Sequence, residues 1–400
     1  MRLVTNCEQR FDRLPDGSVW TRDAFAYEYW APYLRIFADV CIVARVREAA
    51  ADDRAGKRRV DGNGVRVVGL PHYIGPWQFL LQLLPIRKAM RKSVAEDDAV
   101  ILRGVQLAAI LRITSLGGGR PYGCEVVGDP YDVFARGVVD HPLRPFLRPW
   151  FAAELRRQCA GAAAALYVTQ SYLQRRYPCP GRIFSASDVQ VDGEAFASAP
   201  REFSGRTGPF RLIAVGTLDQ MYKGQDLLIE AVGELVKRGR DLQLTFVGGG
   251  RLRPRLESLA AMAGIGDRVV FAGPLPSGAP VRREIDRADL FVMPSRTEGL
   301  PRALIEGMAR GLPAIASAVG GIPELLDPED LVSPGDARKL AGALDAAITN
   351  RERLARMSAR NLERARSFTH ERLLHSRLEF QQTIFDVTAE WIAGGARHLG

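Results

Sequence analysis

The chain has 400 residues, 46% of them apolar and 25% charged, with 55 Lys and Arg against 46 Asp and Glu for a formal charge of +9. This balance excludes a long disordered chain and supplies enough apolar material for two domains. The positive excess admits anionic partners such as phosphates, nucleotides or acidic membrane surfaces, although only 6 of the basic residues are lysine, so arginine is the ordinary cation here. Cys7, Cys41, Cys124, Cys159 and Cys179 form no C-x-x-C pair, which argues against a disulfide framework or a structural zinc site. MRLVTNCEQR lacks the apolar region of a signal peptide. No run approaches the ~18 apolar residues of a membrane span, and a cytoplasmic protein is expected.

In chain order, the first half offers strands at 2–6, 39–46, 65–70, 99–104, 124–129, 165–169 and 182–187. Helical patterns separate them at 24–37, 78–94, 105–114, 147–164 and 171–177. The stretch APREFSGRTGP (199–209) has Pro, Gly, Ser and charge with little apolar content and reads as a linker. In the second half, strands at 211–216, 244–249, 268–273, 290–295 and 314–317 each end at Gly, Pro or Ser. DLLIEAVGELVKR (226–238) is apolar at 227, 228, 231, 232, 235 and 236, the stripe of a helix lying on a sheet. After Asn350 a long helical tail follows, able to reach back over the first half. Uniformly apolar strands alternating with such helices mean a parallel sheet covered on both faces. The pattern occurs twice, giving an α/β chain with two Rossmann-like doubly wound domains: 1–200, 209–375, and a C-terminal helix at 376–400 packing back on the first.

Ligands of open α/β sheets bind outside the carboxyl ends of the strands. The second-half loops there read TLDQMYKG (217–224), GGG (248–250), GPL (273–275) and SRTEGLP (295–301). Glycine lets backbone N–H groups approach an anion. The helix after Pro301 presents its positive end to the same place, and Gly311 reads as its C-cap. EGLPRALIEGMARGLP (298–313) sets two acids eight residues apart, with Glu306 among Leu304, Ile305 and Met308. A half-buried carboxylate there needs hydrogen-bond donors, and a pair of sugar hydroxyls would supply them.

That segment resembles the E-x7-E block of retaining glycosyltransferases with the GT-B architecture, close to glycosyltransferase family 4. VGTLDQMYKGQDLLIEAV (215–232) is similar to the diphosphate loop and helix of that family, and VGGGRLRPRLESLA (247–260) and VVFAGPL (269–275) also fit. The resemblance is good over 211–326 and only in outline before that. It implies two domains across a cleft, with a nucleotide sugar (a UDP- or GDP-sugar) held by the second and a saccharide, lipid-linked or small-molecule acceptor by the first. Lys223 would meet the diphosphate, with Gly216, Thr217, Gly249 and the backbone at Gly299, Leu300 and Pro301. Glu306 would take the ribose hydroxyls, Glu298 the hydroxyls of the donor sugar, and Pro274–Leu275 the base. Many relatives have Arg where this chain has Thr217, so that one diphosphate cation is missing here, or Arg296 or Arg302 replaces it. Asp129, in GDPYDVF, stands where relatives place a polar catalytic residue, and is equally an Asp-Pro turn residue. Asp16, Gly17 and Ser18 would lie on the acceptor side.

The implied reaction is glycosyl transfer with retention in polysaccharide biosynthesis, with no cofactor and no metal. Asp52–Asp53 and Asp97–Asp98 do not form a D-x-D and read as solvated turns. Competing readings are a nucleotide-sugar epimerase and a catalytically silent nucleotide-sugar-binding protein of the same fold. A dinucleotide oxidoreductase lacks its G-x-G-x-x-G after a first strand. Nucleic-acid binding is not expected, since the arginines are dispersed and no recognition module is present. HPLRPFLRPWFAAELRRQCAGA (141–162) mixes Arg with Phe and Trp; it reads first as an ordinary amphipathic core helix with a proline-rich lead-in, and alternatively as a segment for peripheral contact with an anionic membrane surface.

Overall fold

A computed structural model describes residues 1–22, 24–117, 119–135, 138, 141–189, 191–204 and 208–395. The first half contains β1 (Arg2–Arg13), β2 (Val19–Thr21), α1 (Tyr27–Trp30), β3 (Asp39–Glu48), β4 (Arg58–Arg59), β5 (Val65–Leu70), α2 (Gly75–Ser93), β6 (Ala99–Arg103), α3 (Gln106–Ser115), β7 (Gly123–Val126), α4 (Pro130–Val133), α5 (Arg144–Ala160), β8 (Ala164–Tyr167), α6 (Tyr172–Arg176) and β9 (Arg182–Ser185). Its parallel strands run in the order β5-β3-β1-β6-β7-β8-β9, with β2 and β4 added antiparallel beside the distal part of β1. Strands such as VCIVA in β3 are buried throughout, as a sheet covered on both faces requires.

The second half contains β10 (Phe210–Val215), α7 (Gln225–Lys237), β11 (Leu242–Val247), α8 (Arg253–Met262), β12 (Val269–Gly273), α9 (Ala279–Arg287), β13 (Leu290–Met293), α10 (Arg302–Ala309), β14 (Ala314–Ser317), β15 (Leu331–Val332), α11 (Ala337–Ile348), α12 (Arg351–Ala365) and α13 (His370–Gly395). Its sheet is parallel, in the order β12-β11-β10-β13-β14-β15. Leu227, Leu228, Ala231, Val232 and Leu235 of α7 are all buried, the stripe the sequence predicts. Full burial stabilises each of the larger side chains by about 1.5–3 kcal/mol before conformational entropy is subtracted.

Four local readings differ from the structure. The helix expected at 24–37 is the short α1 followed by a 3-10 turn at Ala31–Arg35, where Pro32 cannot continue α-helical hydrogen bonding. The helical tail is broken at Arg366–Phe368, between α12 and α13. The expected linker is fastened to the second half. Phe203 is buried there, Arg201 N donates to Ser358 Oγ at 2.8 Å, and its guanidinium donates to the carbonyls of Arg310 and Ile285; 205–207 lie outside the described residues. Asp98 and Asp53 are paired rather than solvated, Asp98 with Arg2 and Asp53 with the buried Lys57.

Helix α13 crosses onto the first sheet. Arg377 pairs with Asp188 at 2.7 Å, Ser376 Oγ donates to Ser185 O at 2.9 Å, and Phe380 packs on Phe184. Phe380 and Ile384 also lie where a side chain on Gly123 would have to go. Residues 396–400, the end of the segment expected to pack back, lie outside the described residues. Two Rossmann-like halves thus face each other, with the carboxyl ends of both sets of strands toward a shared cleft.

Candidate functional site

The site is assembled from loops at the carboxyl ends of β10, β11, β12 and β13. After β10 the chain makes a short 3-10 turn at Met221–Lys223. Gly224 follows at φ 72° with Pro294 O where a Cβ would stand. Only glycine tolerates both conditions, and this pins Lys223 between the two loops. Its methylene groups lie beside Gly216, 3.5 Å from where a Cβ there would be.

Lys223 Nζ donates to Glu298 Oε1 at 2.7 Å, and the fully buried Ser295 Oγ donates to the same oxygen at 2.7 Å. Glu298 is therefore held from two sides on one oxygen. The second-half loops are equally close to one another. Gly248 leaves no room for a side chain against Gly216 O, and Gly249 lies against the Pro274 ring. Gly249, Pro274 and Gly216 thus form one wall continuous with Lys223 and Glu298. Leu275 packs against the apolar core.

Pro301 is the N-cap of α10, which begins at Arg302. Gly311 terminates it at φ 59°, and the expected C-cap is present. Glu306 lies in the middle of α10, half-buried, with no hydrogen-bond partner among the described residues. Burial pushes its carboxyl up, against the pull of Arg302 and Arg282.

Arg296 does not stand in for the missing cation at Thr217. It forms a two-pronged pair with Asp226 at 2.8 and 2.9 Å and donates to Met221 O at 2.6 Å. Its fork is spent on fixing the loop before α7. Thr217 Oγ1 instead donates to Asp219, whose other carboxylate oxygen accepts from Arg251 N at 2.9 Å. Arg251 Nε donates to Asp219 O at 3.1 Å, which folds its exposed guanidinium over the Thr217 turn. Sequence reasoning missed Arg251; its signal was its place directly after the glycine run.

Across the cleft, Val127 O lies 3.2 Å from where a Cβ on Gly299 would be, so the β7–α4 loop touches the Glu298–Pro301 loop. Asp129 belongs to that first-half loop, but its carboxylate turns inward. It caps α4 by accepting from Tyr131 N at 2.9 Å and accepts from Tyr172, Tyr177 and Arg176. It is buried, and both of its oxygens are engaged by first-half groups, as the Asp-Pro turn reading requires. Asp16, Gly17 and Ser18 form the β1–β2 turn. Asp16 accepts from Ser18 and Arg54, and the second bond ties the turn to Arg54 of the first half rather than to the second-half loops. A second junction joins the halves: Glu324 accepts from the N–H groups of Gln170, Ser171 and Tyr172 at 2.7, 2.9 and 2.6 Å.

Comparison with known proteins agrees with this layout. Residues 209–350 match the family described as "Glycosyl transferases group 1". Protein CapJ of Staphylococcus aureus is 26% identical over 334 residues, covering 82% of each chain. Alpha-D-kanosaminyltransferase of Streptomyces kanamyceticus is 28% identical over 341 residues, 77% of this chain and 86% of the relative. Among solved structures, Anabaena Alr3699/HepE in complex with UDP superposes with a TM-score of 0.61 at 16% identity, over 98% of this chain and 100% of that one. With two facing Rossmann-like halves the chain has the GT-B fold, its second half matches the group 1 glycosyltransferases over residues 209–350, and the chain is a glycosyltransferase.

Proposed function

We propose that the protein transfers a sugar, with retention, from a nucleotide-diphosphate sugar held by the second-half loops to a hydroxyl of a saccharide, lipid-linked or small-molecule acceptor on the first half. The observation that carries this reading is the Lys223–Glu298 pair at 2.7 Å, with the unpartnered Glu306 on the following helix. A cation beside an anion suits the junction where a diphosphate meets a sugar. Lys223, the backbone N–H groups at Gly299–Leu300 and the start of α10 stabilise charge on the departing diphosphate, each donor contributing about 3–4 kcal/mol. The free oxygen of Glu298 takes donor-sugar hydroxyls and Glu306 the ribose diol, while Gly249 helps hold the diphosphate and Pro274 and Leu275 border the base.

Retention follows if the departing phosphate oxygen accepts the acceptor proton on the face it leaves, and the inward turn of Asp129 agrees with a reaction that uses no first-half carboxylate. The charge on the diphosphate is met by protein groups, so neither a metal nor another cofactor is required. The domain division is 1–200 for the acceptor, 209–375 for the donor and 376–400 for the returning helix. The setting is polysaccharide assembly at the cytoplasmic side of a membrane. HepE binds UDP, which makes uridine nucleotides the first donors to assay.

The test is a panel of UDP-, GDP-, ADP- and dTDP-sugars, scored by calorimetric binding and by donor hydrolysis in EDTA, followed by anomeric analysis of the product. One donor is expected to bind and to be consumed without metal, giving a product of unchanged anomeric configuration. An inverted product, or wild-type affinity in both Lys223→Ala and Glu306→Gln, rejects the reading.

A further inference from the structure

Helix α2 is apolar on two faces. Ile86 and Met90 are fully buried, and Phe79 and Leu83 pack beside them on the core. On the opposite side Trp77, Leu80, Leu81 and Leu84 are 76%, 56%, 80% and 75% exposed. Their i, i+3, i+4, i+7 spacing makes one stripe. At about 100° per residue, Lys88, Arg91 and Lys92 continue that stripe toward the end of the helix. The helix contains neither Asp nor Glu. Beside its basic half, a groove against α3 is lined by Arg87, Lys88, Arg91, Lys92, Ile113 and Thr114. Folding the first half needs only the buried face, and four large apolar side chains aligned in water require another explanation.

We propose that this second face of α2 docks the protein on an anionic lipid bilayer. Trp77, Leu80, Leu81 and Leu84 enter the interface, and Arg87, Lys88, Arg91 and Lys92 meet the phosphates of the headgroups. Charge decides the occupant. A second copy packed on this face by a two-fold axis would offer it only the same acid-free helix, with no carboxylate to meet Lys88, Arg91 and Lys92 in either orientation. An anionic bilayer opposes that stripe with negative charge along its whole length. The helix follows β5 in a parallel sheet, so its apolar half is the end nearer the cleft. The 141–162 segment, the alternative candidate from sequence, exposes Leu143, Phe146 and Trp150 but buries Ala152, Leu155 and Cys159 in the core, the pattern of an amphipathic core helix.

The test is flotation of the full chain with vesicles of phosphatidylglycerol and phosphatidylcholine and with phosphatidylcholine alone, at low and high salt. The protein is expected to float with the anionic vesicles at low salt and to be released by high salt. A triple variant, Trp77→Gln, Leu81→Gln, Leu84→Gln, and a charge variant, Lys88→Glu with Arg91→Glu, should each partition at least about tenfold less. Both should keep wild-type donor affinity and thermal midpoint, because the altered side chains are exposed and far from the donor loops. Phe146→Gln with Trp150→Gln should float as wild type. The proposal is overturned if the wild type does not float, if both α2 variants float normally, or if only the α5 variant loses binding. It is overturned equally if sedimentation shows a dimer that the α2 variants abolish while vesicles capture nothing.

Discussion

Lys223 Nζ stands 2.7 Å from Glu298 Oε1, although 75 positions separate the two residues in the chain. The pair is largely withdrawn from water, with 19% of the lysine side chain and 7% of the glutamate side chain exposed. A bound diphosphate would compete with Glu298 for the ammonium group, while Ser295 continues to hold the carboxylate. Lys223→Ala is therefore expected to lower kcat/KM by about 10²–10³-fold. Glu298→Gln keeps the Ser295 hydrogen bond and should be the milder change. Because the residues touch, the double variant should depart from additivity by roughly 0.5–3 kcal/mol. Strict additivity of the single effects on transfer rate would show that the pair does not act on one ligand.

If Glu306 holds the ribose diol as proposed, donor affinity depends on pH. Burial holds its carboxyl above the ordinary value of 4.5. Ribose hydroxyls donate to the carboxylate and not to both oxygens of the acid, so affinity should be full at neutral pH and fall as the pH drops through the raised value. The stability term runs the other way. The folded state binds the proton more tightly than the unfolded chain, so the contribution of Glu306 to stability declines as the pH rises through the same window. Calorimetric nucleotide titrations from mildly acidic to neutral pH should show the wild-type slope. Glu306→Gln should remove the slope and cost about 1.5–3 kcal/mol of binding. A variant that keeps the wild-type pH profile would place the titrating group elsewhere.

Much of this was legible in the sequence because strands and loops at strand ends are local features. VCIVA and LTFVGG declare buried parallel strands by composition alone, and Gly311 declares its helix end. Partnership between distant side chains is not local. The sequence shows Arg296 next to the E-x7-E block but not Asp226, 70 positions away, which claims its guanidinium. It shows Asp129 at a cleft loop but not Tyr172, Arg176 and Tyr177 converging on its carboxylate. It shows the apolar residues of α2 but not which of its two apolar faces the core covers.

The cation that faces the Thr217 turn is Arg251, and under the proposed function it takes the place expected of Arg296. Among the described residues only its Nε is bonded, to Asp219 O at 3.1 Å, and the exposed side chain has further donors for a phosphate. Arg251→Ala should weaken donor binding about threefold to tenfold, in line with an exposed charge-assisted hydrogen bond, and the loss should shrink in high salt. Arg296→Ala should instead lower the thermal midpoint, because it leaves Asp226 unpaired at the start of α7. If Arg296→Ala weakens donor binding more than Arg251→Ala at unchanged stability, the two assignments are reversed.

Glu324 fixes how the halves meet. Its carboxylate accepts three backbone N–H groups and the Ser171 hydroxyl at the start of α6, and Gly321 nearby has no room for a side chain against Thr169 and Leu300. A charged acceptor bonded to main-chain donors contributes about 1.5–3 kcal/mol, enough to shift an open–closed equilibrium by tenfold or more. The donor loops lie wholly in the second half, so Glu324→Ala should leave nucleotide affinity within about twofold. Transfer needs the acceptor half brought up to the donor, so kcat should fall at least about tenfold. Small-angle scattering should report a larger radius of gyration, and limited proteolysis should open near residue 170. Unchanged scattering together with unchanged kcat would mean that the Gly299–Val127 contact alone holds the cleft closed, and that Glu324 merely caps α6.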